Sequence, residues 1–590
     1  MASAPRFLLA VLLCAIVVPQ ARALDRDAFS FTRYDLQVTL DPHQHGLAAA
    51  GALEVRNISQ QPQHEVVLQI SSSLHWLSVL AGGAPVEWLS QSYTSDIDHT
   101  GLLNEAILKL DKPLAPGDSL RLDVRYAGTV TKNATRLERI GTPSNVALRS
   151  DWDAIGDSFT ALRGVGFVVW YPVSMNAANL AQGNELFETL REWREREASS
   201  ALRVHLANAA PRDGDESKFT FVSNGSGGKS GVAITEEFSG VDPVIVLLND
   251  PSESTDRPHV AAFYTAAHTN FARDYIAAAE SVIPPLQEWF GAPRRKIVVV
   301  ELPDPGALPY EAGSYYFVPM QSVTHAAAEV AMARPIVHAM LESPRPWIRE
   351  GLAGFAQALM RERQAGRRAA VAYLGQFRSA LAVAEAQSRS SLSPSEASSA
   401  QFPVNGPQPL IKTADEMLLH TKAAYVWWML RDMVGDRALQ AALGQYRAAD
   451  DRDSAYMQRL ITKQLSAKRD LEPFFDDWVY RDPGLPQLRI DSAYVRQTLG
   501  AQTVTAVTIE NLGETWCEVP VAVRSGNGEN TVRVVVAAKN KAIVRVPFEA
   551  APSEAEVNDG SVPEAERRDN VIPVTTSPPA PAVSKLVIPS

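Results

Sequence analysis

The sequence predicts a multidomain α+β fold in which two regions rich in strands flank a central region rich in helices. In many short segments before about residue 240, and again after residue 487, apolar and polar residues alternate with a period of two. Between these regions, helical spacing dominates, with a few buried strands near its beginning. The length of 590 residues is sufficient for several domains.

The chain begins with a segment typical of a secretory signal peptide. Arg6 precedes the apolar run from Phe7 to Val18, and Ala21-Arg22-Ala23 is a small-x-small cleavage site. The run is too short for an ordinary membrane span, and no later segment is long and apolar enough to cross a bilayer. We therefore expect cleavage at the end of residues 1–23 and export to the periplasm or the extracellular space; an uncleaved anchor is the alternative.

The first region after the signal has the pattern of strands. The segments YDLQVTL, HEVVLQI and LRLDVRY each alternate apolar and polar side chains, and turn-rich joints such as KPLAPGDS separate them. This pattern predicts an N-terminal antiparallel β domain over residues 24–242.

The pattern then changes to alternating strands and helices. VIVLL and KIVVVEL have the composition of buried strands, and residues 259–291 and 326–341 have helical spacing. This order predicts an α/β domain over residues 243–370, followed by a helical region over residues 371–486.

Strand patterns return in the last hundred residues. TVTAVTIEN, VPVAVRS, NTVRVVVAA and KAIVRVPF are short and closely spaced, which predicts an Ig-like β-sandwich over residues 487–572. Residues 573–590 form a proline-rich tail, for which we expect an extended conformation.

Charge and cysteine content argue against a nucleic-acid-binding protein and against a fold held by disulfides. The net charge of −11 argues against nucleic acid as a partner, because phosphate binding requires a basic surface. Cys14 leaves with the signal peptide, and Cys517 alone remains, so the mature chain cannot form an internal disulfide. No pattern in the sequence indicates the oligomeric state.

The segment from Ile336 to Gln357, IVHAMLESPRPWIREGLAGFAQ, carries the candidate site. His338 and Glu342 are four residues apart and would share one face of a helix. Two prolines in SPRP end that helix, and a second helix carrying Glu350 can fold back towards His338. A His/Glu/Glu set could hold a divalent ion such as zinc, although exchange of imidazole for carboxylate favours harder metals.

The position after His338 decides what such a site could catalyse. In the H-E-x-x-H pattern of zinc peptidases, this position holds a glutamate that activates the metal-bound water. Here it is Ala339, whose methyl group cannot accept or deliver a proton. The loss of a positioned acid–base group typically lowers a rate by about 10²–10⁴-fold.

Several segments, in order, resemble the aminopeptidase N family of gluzincin zinc metallopeptidases. The likeness covers roughly residues 34–490. It is carried by Trp170-Tyr171-Pro172, by residues 336–355, by HTKAAYVWWMLRDMVGD at 420–436 and by FFDDWVYRDPGLP at 474–486. The resemblance implies a β domain, a thermolysin-like α/β domain with a zinc site, and a helical region.

The resemblance also implies roles for individual residues. The family's general base falls on Ala339 and its second histidine ligand on Glu342, while Glu350 matches the third ligand. The tyrosine that stabilises the tetrahedral intermediate falls on His420, which could still donate a hydrogen bond to an oxyanion. Glu311, in LPYEA, lies where the family binds the free amine of its substrate.

These changes lead to three hypotheses. In the first, the chain is an exported pseudopeptidase that binds a peptide or protein ligand without cleaving it, and a zinc cofactor is doubtful. In the second, it is an active metallo-aminopeptidase with an unconventional His/Glu/Glu site. In the third, it is a structural adaptor that acts through its C-terminal sandwich and tail.

Overall fold

The computed structural model describes residues 24–208, 219–230, 233–249, 252–389, 408–465, 469–499, 502–526, 528–564 and 566–577. These residues form several sheets and many helices, which confirms the predicted mixed α+β class. The predicted signal peptide lies outside the described residues, and so does most of the proline-rich tail, from 578 onward. Among the described ranges, no helix combines the length and the apolar character needed to cross a membrane.

The described strands up to residue 249 form three sheets, and most of their buried side chains share one core. The largest has eight strands in the order β12-β13-β10-β1-β2-β8-β4-β5, and the other two have the orders β3-β7-β6 and β11-β14-β9. The strands are β1 Phe29–Asp41, β2 Gly46–Asn57, β3 Gln63–Ser71, β4 Leu74–Ala81, β5 Ala84–Pro85, β6 Glu87–Thr94, β7 Leu102–Leu114, β8 Ser119–Thr129, β9 Phe159–Leu162, β10 Ala201–Asn208, β11 Phe219–Ser223, β12 Ser226–Ser230, β13 Ala233–Ser239 and β14 Ile245–Asn249.

Two details of these sheets differ from the pattern in the sequence. β1 pairs with β10 in parallel, with Leu36 opposite Val204, whereas the other described pairs in these sheets are antiparallel. A parallel partner needs a long crossover, and the helix α3 (Glu185–Arg196) precedes β10 in this connection. The VIVLL segment pairs as β14 with β9 and β11, and therefore joins the preceding strands rather than the α/β sheet that follows.

The next sheet has five strands in the order β15-β16-β17-β19-β18. Its strands are β15 Ser252–Asp256, β16 Val260–Thr265, β17 Ile297–Glu301, β18 Tyr310–Ala312 and β19 Tyr315–Val318. β16, β17 and β19 are parallel, and β18 is antiparallel to β19 at one end of the sheet. One part of this sheet packs against Trp152 and Phe159 of the preceding region in a small apolar cluster.

Helices cover most of the described residues between 269 and 480. Two short helices and α3 precede them in the chain. In the described ranges, the α-helices are α1 Thr135–Arg139, α2 Ser144–Ser150, α3 Glu185–Arg196, α4 Thr269–Phe290, α5 His325–Met340, α6 Pro346–Ala365, α7 Arg367–Leu374, α8 Arg378–Arg389, α9 Ala423–Val434, α10 Asp436–Gln445, α11 Tyr456–Lys463 and α12 Glu472–Phe475. π-helical turns at Leu418–Lys422 and Asp476–Tyr480 adjoin α9 and α12.

The C-terminal strands form two further sheets, in the orders β20-β21-β24 and β23-β22-β25-β26. The strands are β20 Leu488–Leu499, β21 Gln502–Asn511, β22 Cys517–Ser525, β23 Gly528–Val536, β24 Lys541–Phe548, β25 Glu554–Val557 and β26 Val571–Pro573. All their described pairs are antiparallel. The Ig-like arrangement and the domain boundaries stay predictions.

One hydrophobic core runs from the α/β sheet through the helices into the C-terminal sheets. Buried side chains from Val260 to Val562 belong to the same cluster. A second cluster fills the strands up to Leu247. The candidate site lies where α5, α6, β18 and the π-helical turn before α9 come together, so its geometry depends on the first core.

Candidate functional site

Helix α5 carries two polar residues of the site, one turn apart. Its N-terminus is capped by Thr324, whose hydroxyl accepts a hydrogen bond from the Ala327 amide at 3.2 Å. Arg334 and His338 are four residues apart, so both side chains lie on one helical face. This face is only partly buried, since Val330 and Ala331 on it are also half-buried, whereas Met332 and Ile336 are buried on the opposite face.

Helix α5 ends before Glu342. Its last residue is Met340, and Leu341 has extended backbone angles, φ −128° and ψ 126°. The Glu342 side chain is 47% exposed and forms an ion pair with Arg295. The predicted shared helical face of His338 and Glu342 is therefore not what the structure has, because the helix does not reach position 342.

Helix α6 brings Glu350 towards His338. Pro346 lies in its first turn, where the absent proline N–H costs no hydrogen bond. The turn before it is held by Arg345, whose Nε donates to Asp451 at 3.1 Å. His338 Nε2 lies 3.5 Å from Glu350 Oε2, so the SPRP turn folds the second helix back as the sequence indicates.

Glycines on α6 allow the next helix to approach closely. A Cβ at Gly351 would lie 2.7 Å from Ala423 Cβ and 2.8 Å from Trp427 Cδ1. The rings of Trp347 and Trp427 stack nearby, with centroids 5.1 Å apart. This packing places the π-helical turn before α9, which contains His420, beside Glu350.

The guanidinium of Arg334 lies between two carboxylates. Its Nε donates to Glu311 Oε2 at 3.1 Å, and its Nη2 donates to Glu350 Oε2 at 2.9 Å. The Arg334 side chain is only 12% exposed. Burial disfavours its charge, but the two carboxylates outweigh this and raise the pKa of Arg334 above its ordinary value. Arg349 pairs with the other oxygen of Glu350, at 2.8 Å.

His338 uses one ring nitrogen for a backbone hydrogen bond, and its other nitrogen is buried close to Glu350. Its Nδ1 lies 3.2 Å from the Gly313 carbonyl oxygen, and since a carbonyl only accepts, Nδ1 is the donor. Its Nε2 is buried and has no hydrogen-bond partner. The side chain is 8% exposed, and its Nδ1 is 3.9 Å from Glu311 Oε2. Glu311 thus lies next to His338, but its carboxylate is engaged by Arg334.

Charges around Glu350 set the ionisation of the site. Burial opposes its negative charge, yet His338 and the guanidinium groups of Arg349 and Arg334 hold the pKa of Glu350 well below its usual range. His420 Nε2 lies 3.7 Å from Glu350 Oε2, and its side chain is 43% exposed within the cleft. Desolvation by the cleft walls, together with Arg334, lowers the pKa of His420 to about 4, so the ring is neutral at pH 7.

The described residues do not fit a resident zinc ion of the implied kind. Such a site needs three protein ligands around one point. Glu342 forms its ion pair with Arg295, away from the other two residues. Arg334 donates to Glu350 Oε2, the oxygen that lies close to His338. Within the described ranges, no set of three His, Cys, Asp or Glu groups is placed to hold a metal. The base position, Ala339, is buried and apolar.

Of the residues singled out in the sequence, His338, Glu350, Glu311 and His420 come together, whereas Glu342 does not. The residue that sequence reasoning missed is Arg334. One signal for it was present, because Arg334 lies four residues before His338 and therefore shares a helical face with it.

Comparisons with known proteins add only a general likeness. No family model and no curated protein sequence matches this chain. Similar solved structures include an M1 zinc metallopeptidase from Deinococcus radiodurans, at 17% identity, covering 77% of this chain and 94% of that one with a TM-score of 0.43. A mutant of that enzyme bound to a Tyr-Ser-Ala substrate is 17% identical, and the match covers 75% of this chain and 92% of that one with a TM-score of 0.43. Values this low do not establish a family for this chain.

Proposed function

We propose that this chain is an exported protein with an aminopeptidase-type metallopeptidase scaffold, whose cleft binds a peptide or protein ligand without cleaving it. One observation carries the proposal: the base position holds the methyl group of Ala339, beside a cluster in which Glu350 is already paired with arginines. Peptide hydrolysis needs a proton acceptor within hydrogen-bond reach of the attacking water, and a methyl group supplies none.

Features of the cleft support a binding role. β18 is the end strand of its sheet, and its residues are half-buried, so an extended peptide can add to it as a further strand. Glu311 is on this strand, and Arg349, which pairs with Glu350, is about half exposed. A carboxylate can bind the free amine of a peptide, and a guanidinium can donate to its carbonyl groups.

The first test is catalysis. We expect the mature protein, loaded with excess zinc, to hydrolyse aminoacyl-aminomethylcoumarin substrates at least about 10²-fold more slowly than a zinc peptidase with an intact base. Metal-dependent turnover that disappears in Glu350→Ala would instead favour the second hypothesis, an active enzyme with an unconventional site.

The second test is binding. Peptides of three to six residues, labelled at the C-terminus, are titrated with the protein and followed by fluorescence anisotropy. We expect Glu311→Gln to weaken binding of peptides with a free amine, and N-acetylation of the peptide to have a similar effect. Glu342→Gln is the matched control, because Glu342 is exposed and paired with Arg295 away from the cluster. Binding that is insensitive to Glu311 and to acetylation contradicts the proposed cleft.

A further inference from the structure

The cluster of buried charges in the cleft contains its own cation. Glu311 and Glu350 lie on different elements, β18 and α6, and Arg334 on α5 donates to one oxygen of each. Two carboxylates that are largely removed from water need a positive partner, since an unpaired buried charge is strongly destabilising. Here a side chain of the chain itself supplies that partner.

Two histidine nitrogens lie close to the same oxygen of Glu350. His338 Nε2 is buried, has no hydrogen-bond partner and lies 3.5 Å from Glu350 Oε2. His420 Nε2 lies 3.7 Å from the same oxygen. With metal–ligand bonds of about 2.0–2.2 Å, two donor atoms of a tetrahedral site are separated by roughly 3.3–3.6 Å. The two separations from Glu350 Oε2, 3.5 Å to His338 and 3.7 Å to His420, are close to this spacing, although the described residues as they stand form no three-ligand metal set.

We infer that Arg334 is a built-in cation, which takes the electrostatic place of a divalent metal ion and keeps a latent zinc site of His338, Glu350 and His420 closed. A guanidinium that donates to Glu350 Oε2 uses the oxygen that a metal would need. Its positive charge also repels a divalent ion at this short range. The inference shares one point with the proposed function, namely that the native cleft works without a metal.

Removal of the guanidinium should therefore create zinc affinity. In Arg334→Met, a side chain of similar length carries no charge. We expect the wild-type protein to show no zinc binding by titration calorimetry and no zinc-dependent change in Tm. The Arg334→Met protein should have a lower Tm without metal, and should regain at least about 3 °C at zinc concentrations well above its Kd, because a ligand that binds only the native state stabilises it.

Matched variants separate the effect of charge from that of position. Arg334→Lys retains a cation and should stay insensitive to zinc. Arg349→Met removes the more exposed guanidinium from the other oxygen of Glu350, and should also stay insensitive. In the Arg334→Met background, His338→Ala should abolish the zinc response, while Glu342→Ala should leave it unchanged, since Glu342 lies outside the cluster.

Two results would overturn the inference. One is stoichiometric zinc binding by the wild-type protein that is lost in His338→Ala; the other is a folded Arg334→Met protein that does not respond to zinc. If Arg334→Met does not fold, the double variant Arg334→Met with Glu311→Gln removes the cation together with one carboxylate, and the same two readouts apply. A peptide-binding or cleavage result bears on the proposed function alone, so the two failures are distinguishable.

Discussion

At the scale of single residues, Glu564 shows how the fold changes the chemistry of a side chain. It is fully buried. Its Oε1 accepts from Asn558 Nδ2 at 2.6 Å and from Asn570 Nδ2 at 2.5 Å, and its Oε2 accepts from the Leu488 amide at 3.1 Å. Burial raises the pKa of Glu564 from 4.5 to about 7, because the three hydrogen bonds do not fully replace water around a carboxylate.

This shift predicts a pH dependence of stability. Between about pH 4.5 and 7, the native state keeps a proton on Glu564 that the unfolded chain has lost, so its stabilising contribution is full below 4.5 and disappears as the pH rises through about 7. The loss is roughly 3 kcal/mol at most. We expect the free energy of unfolding, measured with urea at a series of pH values, to fall across this window.

Glu564→Gln is the variant that isolates this effect. The difference in unfolding free energy between wild type and variant should change between pH 4.5 and 7, because only the wild type has the titrating group. Below about pH 4.5 the variant should be less stable than the wild type, since its amide N–H faces the Leu488 N–H in place of an acceptor. A wild-type-minus-variant difference that is independent of pH would contradict the raised pKa.

At the scale of secondary-structure elements, the close packing of α6 against α9 determines where Glu350 lies. Gly351 has no room for a Cβ, since Ala423 and Trp427 are within 3 Å of its position. We expect Gly351→Ala to force the two helices apart and to lower the free energy of unfolding by about 1–3 kcal/mol. Chemical denaturation measures this change directly.

Gly444 provides a matched control on another helix. It lies in α10, and a Cβ at this position would meet no atom within 4 Å. Because alanine loses less backbone freedom on folding, Gly444→Ala should stabilise the protein by about 0.5–1 kcal/mol. If both substitutions changed the free energy of unfolding in the same direction, close packing would not be the reason for the glycine at position 351.

At the scale of the whole molecule, the helical region and the C-terminal sheets share one core. Trp478 is fully buried, and its Nε1 donates to the Trp516 carbonyl at 2.8 Å across this boundary. Cys517, in β22, is buried in the same core, and desolvation raises the pKa of its thiol. Deletion of residues 487–590 would therefore expose apolar surface of the helices and destabilise them. For this reason, point substitutions in the C-terminal sheets are a better test of the adaptor hypothesis than deletion.

Because the core is shared, we expect a destabilising substitution in the helical region to increase opening of the C-terminal sheets. Cys517 is the one cysteine of the chain after residue 23, and its labelling by a thiol reagent reports opening of β22. Trp478→Ala should lower the free energy of unfolding by about 3–5 kcal/mol and raise the labelling rate of Cys517 at least about tenfold under native conditions.

Trp193→Ala is the control for this experiment. Trp193 is as deeply buried, but it belongs to the core of the first sheets. Its loss should leave the labelling rate of Cys517 close to that of the wild type. Equal effects of the two substitutions would indicate that the whole chain opens as a single unit, and no effect of either would mean that the C-terminal sheets open independently.

The order of strand-rich and helix-rich regions, the methyl group at position 339 and the return of Glu350 towards His338 follow from the sequence by itself. Alternation, helical spacing and prolines act over a few neighbouring residues, so local chemistry determines them. The identity of a side chain likewise needs no structure, and the missing base is visible at once.

Only the tertiary structure decided the partners of those side chains. Helix α5 ends at Met340, which turns Glu342 to Arg295, and Arg334 lies between Glu311 and Glu350. β1 pairs in parallel with β10, although more than 150 residues separate them. Such contacts depend on how distant elements pack, because the energy that selects them comes from burial and charge pairing between segments that are remote in the chain.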